Sequence, residues 1–366
     1  MNNLFTIYKK DILEAFKKNY KKMVLKNPNL EFNELLNQTL DECNLKTTNE
    51  SEISFLRQWF LLIHHLHFLH SHMNNPFQEI IIHSPNHGLV IGVHERNEIT
   101  VQDLDFEDYQ LALETLALKQ NQKWNYQSPF VSFAATLLGI DYRVTLVHFS
   151  CTSNEISKLF IRSQPNQSPD LGMFNLAPSE SSTIERMIQD QKNFLISGGT
   201  GSGKTTFLRS LLPLVDSKEH LIVLEDTYEI KNQHPGQTSM LAQKDNSLKT
   251  LKEYCAYALR MSPDRLIIGE MRSSEVVPFI LAMNTGHKGL MSTIHANSAI
   301  DAIHRAALLF TLYSETKDIS YSLVLKLLSK SIDYVIHLED KKIKEIVRII
   351  GSDGDTPYFE EIYSES

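Results

Sequence analysis

Residues Gly198 to Thr206 read GGTGSGKTT and follow the apolar run Phe194-Leu195-Ile196 without a break. The spacing is Gly-x-x-x-x-Gly-Lys-Ser/Thr, a phosphate-binding loop set between a strand and a helix, where its chemistry requires it. Glycines at 198, 199, 201 and 203 let the backbone enter φ > 0 and turn its N–H groups onto a polyphosphate. Lys204 is placed to reach the outer phosphates, and the Thr205 hydroxyl to hold Mg²⁺. Phe207, Leu208, Leu211 and Leu212 recur at helical spacing up to Pro213, so the N-terminus of a helix faces the phosphates. The whole loop, Gly198, Gly199, Thr200, Gly201, Ser202, Gly203, Lys204, Thr205 and Thr206, is the expected binding element for a nucleoside triphosphate.

Outward from the loop, strands are predicted at 194–197, 221–224, 265–269 and 289–294. Helical patterns at 204–212, 249–260 and 274–284 separate them. Such alternation predicts an α/β fold with a parallel sheet covered by helices. Ligands bind such sheets at the carboxyl ends of the strands, and three runs end there in polar groups. They are Leu221–Asp226 (LIVLED), Leu266–Glu270 (LIIGE) and Gly289–His295 (GLMSTIH). Hydrolysis of a triphosphate needs a held Mg²⁺, an activated water and a neutralised leaving charge. Glu225, Glu270 and His295, with arginines at 260, 265 and 272, supply groups of those kinds.

Upstream, residues 1–75 read as a helical region. Leu4, Tyr8, Ile12, Phe16, Tyr20 and Val24 form an apolar stripe beside Lys9, Lys10, Lys17, Lys18, Lys21, Lys22 and Lys26. A helix packed on its own domain with lysines in water is preferred over one lying on anionic lipid. His64, His65, His67, His70 and His72 lack a carboxylate or cysteine at ligand spacing, so a helix with scattered histidines is the better account. Residues 76–162 change texture. Strand runs at 79–83, 88–93 and 143–149 and a helix at 106–119 predict a smaller α/β domain. Residues 163–178, with three prolines, read as a linker. A capping box, Ser182-x-x-Glu185 after Pro178, opens the second domain at 179–366.

Composition narrows the classes. Over 366 residues, 42% are apolar and 22% charged, ordinary values for globular domains. A net charge of −8 argues against nucleic acid as the main partner. Cys43, Cys151 and Cys255 form no Cys-x-x-Cys pair, which fits a reducing cytoplasm. No signal peptide or membrane-spanning run is visible, so work at a membrane would be done from its surface.

Several stretches resemble one family. LIVLEDTYEI (221–230), LRMSPDRLIIGEMR (259–272) and NTGHKGLMSTIHANSAIDAIHRA (284–306) are similar to the Asp box, Walker B region and His box of the type II/type IV secretion ATPase superfamily. The resemblance is greatest to the pilus-assembly and type IV secretion traffic ATPases, including those of Tad/Flp pili. SIDYVIHLEDKKIKEIVRIIGSDGD (331–355) resembles the same branch, and GIDYRVTLVHF (139–149) and KLFIRSQ (158–164) are similar, more weakly, to its N-terminal domain.

The resemblance implies a RecA-like P-loop ATPase domain preceded by the smaller α/β domain, assembled as a homohexamer that binds ATP and Mg²⁺. It implies that Lys204 and Thr205 hold phosphates and metal, that Glu225 acts as base or positions water, and that Glu270 acts on metal or water. His295 would sense the γ-phosphate, Arg272 lies in a Gly-Glu-x-Arg motif, and Arg143 and Arg162 would join the N-terminal domain to the nucleotide. The implied function is a motor for pilus assembly or secretion on the cytoplasmic face of the inner membrane, acting on a membrane platform protein. The alternatives are a pilus-retraction motor and a nucleotide-binding scaffold without turnover. Two departures stand out. AATLLGIDYR (134–143) lacks a second arginine that the family usually carries just before the position of Arg143, and the four-cysteine zinc module of many type II enzymes is absent.

Overall fold

The computed structural model describes residues 2–43, 49–92, 95–100, 104–163, 169–243, 247–316 and 318–364, with side chains from residue 12 onward. Two compact units divide the chain, Met1–Asn166 and Gln167–Ser366.

The first unit opens with helices α1 (Asn2–Val24), α2 (Phe32–Glu42), α3 (Glu50–His64) and α4 (His70–Met73). Strands β1 (Glu79–Ser84), β2 (His87–Ile91) and β3 (Arg96–Ile99) follow, then helix α5 (Phe106–Lys119). Strands β4 (Phe130–Leu137), β5 (Ile140–Val147) and β6 (Lys158–Ser163) complete it. The six strands form one sheet, ordered β3-β2-β1-β6-β5-β4, and every pairing is antiparallel. Alternate residues such as Ile80, Ile82, Val144, Leu146, Leu159 and Ile161 are buried with the helices in one core.

The stripe on α1 goes inward: Ile12, Phe16, Tyr20 and Val24 are all buried in that core. Phe16 and Tyr20 meet the Trp59 ring edge-on, at 5.8 and 5.3 Å. Leu4 and Tyr8, the first members of the stripe, fall outside the described side chains. Asp108 on α5 fixes the angle of these helices, since it accepts from Lys17 Nζ and Trp59 Nε1, each at 2.8 Å. His64 is buried, its Nδ1 3.0 Å from the Tyr20 hydroxyl, which makes it a core histidine.

The second unit contains α6 (Pro178–Gln189), β7 (Phe194–Gly198), α7 (Lys204–Leu211), β8 (Leu221–Glu225) and β9 (Gln237–Leu241). It continues with α8 (Leu251–Ala258), β10 (Arg265–Met271), α9 (Val276–Asn284), β11 (Met291–His295), α10 (Ala299–Tyr313) and α11 (Tyr321–Ser331). Strands β12 (Tyr334–Glu339), β13 (Lys342–Asp353) and β14 (Thr356–Ser364) close the chain. The sheet order is β14-β13-β12-β7-β11-β10-β8-β9.

Six strands from β12 to β9 run parallel, while β13 and β14 are antiparallel. The sheet is therefore mixed and wider than the four parallel strands expected from the sequence. Strand β9, Gln237–Leu241, has no fully buried residue and gives no apolar run to read. The β13–β14 hairpin turns at Gly354-Asp355, with Gly354 at φ 54°.

Strands β7 and β8 are buried at every position, as parallel strands covered on both faces must be. Their alternate residues feed two cores. Leu195, Ile222, Leu224, Ile268 and Ile294 pack under helices α8 to α11. Phe194, Ile196, Val223, Ile267 and Met291 pack under α6 and α7. Leu171 and Phe174, within the stretch expected as linker, belong to the second of these cores, and Phe174 meets Phe207 edge-on at 5.0 Å.

The start of α6 corrects the expected capping box. The helix begins at Pro178, and Glu180 Oε2 accepts the N–H of Ala177 at 2.7 Å. Ser182 instead donates back to Pro178 O from inside the first turn.

Candidate nucleotide site

Strand β7 ends at Gly198, where the loop must turn sharply under β12. A Cβ there would stand 2.3 Å from Leu338 O and 2.4 Å from Ser202 Oγ, and its φ is 153°. Gly203, the residue before α7, has φ 95°. Side chains at either position would break the loop. Lys204 is largely buried and donates to the carbonyls of Gly198 and Gly199 at 2.9 and 2.6 Å. Burial pulls its ammonium below the ordinary lysine value, while the Glu270 carboxylate works the other way.

The expected acids and histidine arrive from three neighbouring strands. Glu225, at the end of β8, is 4% exposed, and its Oε1 accepts the N–H groups of Glu229 and Ile230, both at 2.9 Å. Burial raises its carboxyl to about 7, against those two stabilising hydrogen bonds. The residue beside it on β10 has to be glycine-sized: a Cβ on Gly269 would touch Glu225 Cγ at 3.1 Å.

Glu270 follows. Its Oε2 accepts from Arg272 Nη2 and its Oε1 lies 2.8 Å from His295 Nε2. Arg272 also reaches Asp226, Nη1 to Oδ2 at 3.5 Å. His295 Nδ1 stands 3.4 Å from Lys204 Nζ. Burial first, then the charge of Lys204, lowers the imidazole below its usual value, while the Glu270 carboxylate works the other way. Nδ1 faces the Lys204 ammonium and is placed to accept from it, whereas Nε2 only approaches Glu270 Oε1, which has no hydrogen-bond partner among the described residues.

Thr205, Glu225, Asp226, Glu270 and Arg272 line one narrow cleft. A wider one of about 580 Å³ opens across Gly198, Gly199 and Thr200 toward His295 and the α10 face carrying Asp301, His304, Arg305 and Leu308. Ser202 Oγ is buried without a hydrogen-bond partner among the described residues. An orphaned hydroxyl inside the loop, N–H groups around it and a nearby threonine and carboxylates suit a triphosphate with Mg²⁺. That ion prefers a few hard oxygens and shares the rest of its shell with phosphate and water.

The structure thus brings Lys204, Thr205, Glu225, Glu270, Arg272 and His295 together in the second unit. Arg143 and Arg162 lie in the first unit, directly paired across β5 and β6, with Arg143 Nε 3.3 Å from Ser132 Oγ.

Arg265, grouped by sequence with the charge-neutralising arginines, belongs elsewhere. It is 1% exposed, with Nε and Nη2 on the Glu219 carboxylate at 2.7 and 2.9 Å and Nη2 on Ile188 O. Breaking such a buried pair leaves an uncompensated charge. Arg265→Ala is expected to cost about 3–5 kcal/mol in urea unfolding, and joint replacement of Arg265 and Glu219 by leucine should recover much of that loss. Glu275 escaped the sequence reading. It is 2% exposed, and its carboxylate accepts from the N–H groups of Arg272 and Ser273 and from Ser273 Oγ. It holds the turn that aims Arg272, and an acid three residues past a Gly-Glu-x-Arg motif was its only signal.

A sequence model for the Type II/IV secretion system protein family matches residues 134–345, more than half the chain. The chain belongs to that family. It is 28% identical over 312 residues to the type IV secretion system protein VirB11 of Bartonella henselae, a match covering 73% of this chain and 87% of that one. It is 37% identical over 125 residues to a putative conjugal transfer protein of Mycobacterium tuberculosis, where only 33% of this chain and 36% of the relative are spanned. Among solved structures, the pilus retraction motor PilT with bound ADP matches with a TM-score of 0.58 at 20% identity, over 82% of this chain and 83% of that one. The ATPase DotB of Legionella pneumophila matches at 0.54 and 17%, over 80% and 78%. At those identities the two structures show the shared fold alone. Among the described residues, no helix of this family member is long and apolar enough to cross a membrane.

Proposed function

We propose that the protein hydrolyses ATP as a homohexameric motor for pilus assembly or type IV/type II-like secretion. It would work at the cytoplasmic face of the inner membrane against a membrane platform protein. The observation that carries this reading is the convergence of Lys204, Thr205, Glu225, Glu270 and His295 at the ends of adjacent strands in a chain of this family.

In this reading the loop N–H groups and Lys204 bind the phosphates, and Thr205 and Glu270 hold Mg²⁺. When bound, that ion would neutralise charge developing on the phosphoryl oxygens. Glu225, raised to about 7, is poised near neutrality to take the proton of the attacking water. Arg272 holds Glu270 through Oε2, which leaves Oε1, beside His295 and without a hydrogen-bond partner among the described residues, open to the ion. His295 presents Nδ1 beside Lys204 and so registers the outermost phosphate, while Arg272, Arg143 and Arg162 contribute positive charge.

Phosphate release and light scattering with and without ATP test the proposal. Turnover by a ring of six is expected, and Glu270→Gln should retain ATP while splitting it at least about 10²-fold more slowly. A chain that stays monomeric and neither binds nor splits ATP would overturn it.

A further inference from the structure

Arg209 is a buried cation that none of these steps uses. It lies on α7, the helix that starts with Lys204 and Thr205, and is 4% exposed. Its neighbours on that helix, Phe207, Leu208 and Leu211, are apolar and fully buried. A leucine at 209 would suit such packing, since desolvating a guanidinium costs several kcal/mol before any partner is found.

The partners are in the loop after β8. With its amide oriented to satisfy both ends, Gln233 accepts from Arg209 Nε and Nη2, each at 3.1 Å, and donates to Arg209 O at 2.8 Å. Gln233 N–H in turn donates to Gln237 Oε1 at 3.1 Å, at the start of β9. Glu225 and Glu229 are the largest acidic influences on the guanidinium. Two of the loop's anchors bear on the site. Glu225 Oε1 grips its first turn through the N–H groups of Glu229 and Ile230, and Arg209 grips its far end through Gln233.

We propose that Arg209 and Gln233 form a positioning pair that locks the loop after β8 onto the triphosphate-binding helix, fixing the Glu225 carboxylate relative to Lys204 and Thr205. The two-donor fork of Arg209 suits this role better than a point charge, because it sets direction as well as distance. The inference rests on the ATP-hydrolysis reading for its consequence in turnover, though the mechanical link stands in the loop itself.

The test compares Arg209→Lys and Gln233→Leu with the unaltered protein, measuring ATP affinity, kcat and amide hydrogen exchange. Each variant is expected to lower kcat about 10- to 100-fold, as a misplaced catalytic group does, with ATP affinity changed less than about threefold. Exchange at the N–H groups of Glu229 and Ile230 should accelerate in both, and the double variant should be no worse than the poorer single one. Unchanged exchange at those two amides, or affinity falling in step with kcat, would overturn the pairing. If the unaltered protein itself shows no turnover, the ATPase reading fails, and the exchange measurement still decides whether the pair anchors the loop. Gln233→Leu leaves the buried arginine in place, so the test does not depend on Arg209→Lys folding.

Discussion

Lys204→Ala is expected to reduce ATP turnover by at least about 10²- to 10³-fold, the scale seen when one preorganised donor to developing charge is removed. In the structure the ammonium is held by two carbonyls of its own loop and stands beside His295. A triphosphate offers it anionic oxygens, which make stronger partners than neutral carbonyls. The substitution takes away that charge, so ATP affinity should fall as well, by roughly tenfold or more for a lost charged hydrogen bond. Unfolding should change little by comparison, because Gly198 and Gly203 set the loop's shape. The measurement is steady-state phosphate release beside equilibrium binding of a fluorescent ATP analogue. Normal turnover in the variant would remove the site from its present location.

Glu225→Gln is expected to lower kcat about 10²- to 10⁴-fold, the usual contribution of a general base, and to change the response to pH in a defined direction. The carboxyl stands at about 7 in the folded protein because burial penalises its charge. Turnover of the unaltered protein should therefore rise with pH through about 7 and level off above it, as the basic form fills. The variant should lose that limb.

Stability moves the other way. A carboxyl whose folded value lies above its unfolded one binds its proton more tightly when folded. Its penalty is absent below the unfolded value, grows as pH climbs toward about 7, and stays constant beyond. At full extent that penalty is about 3 kcal/mol. Glu225→Gln should thus gain stability over the unaltered protein at pH 8 and show little gain near pH 4.5, read by urea unfolding at the two values. Equal effects at both would mean that Glu225 ionises like an exposed acid.

The nucleotide loop was legible because all its chemistry lies in nine consecutive residues, and its glycines allow the positive-φ turns that such a loop needs. Glu225, Glu270 and His295 were legible for a related reason. Each ends an apolar run too short and too buried to be anything but a parallel strand, and the ends of such strands share one edge. Arg265 misled for the converse reason. It is close to Glu270 in sequence but begins β10, so a strand of that length, about 20 Å at roughly 3.3 Å per residue, carries it to the opposite edge and onto Glu219. The C-terminal hairpin β13–β14 was less legible because β14 lies at the sheet edge with nearly all its residues exposed, so it offers no buried apolar face to read.

The sequence by itself determined the triphosphate loop, the alternating strand and helix order, and which acids and which histidine end the strands, since these follow from contiguous spacing and hydrophobic period. Only the tertiary structure decided that Glu225 is buried far enough to titrate near neutrality, that His295 stands between Lys204 and Glu270, and that Arg209 reaches Gln233. Those facts depend on desolvation and on distances between segments far apart in the chain, quantities that exist only once the strands lie side by side.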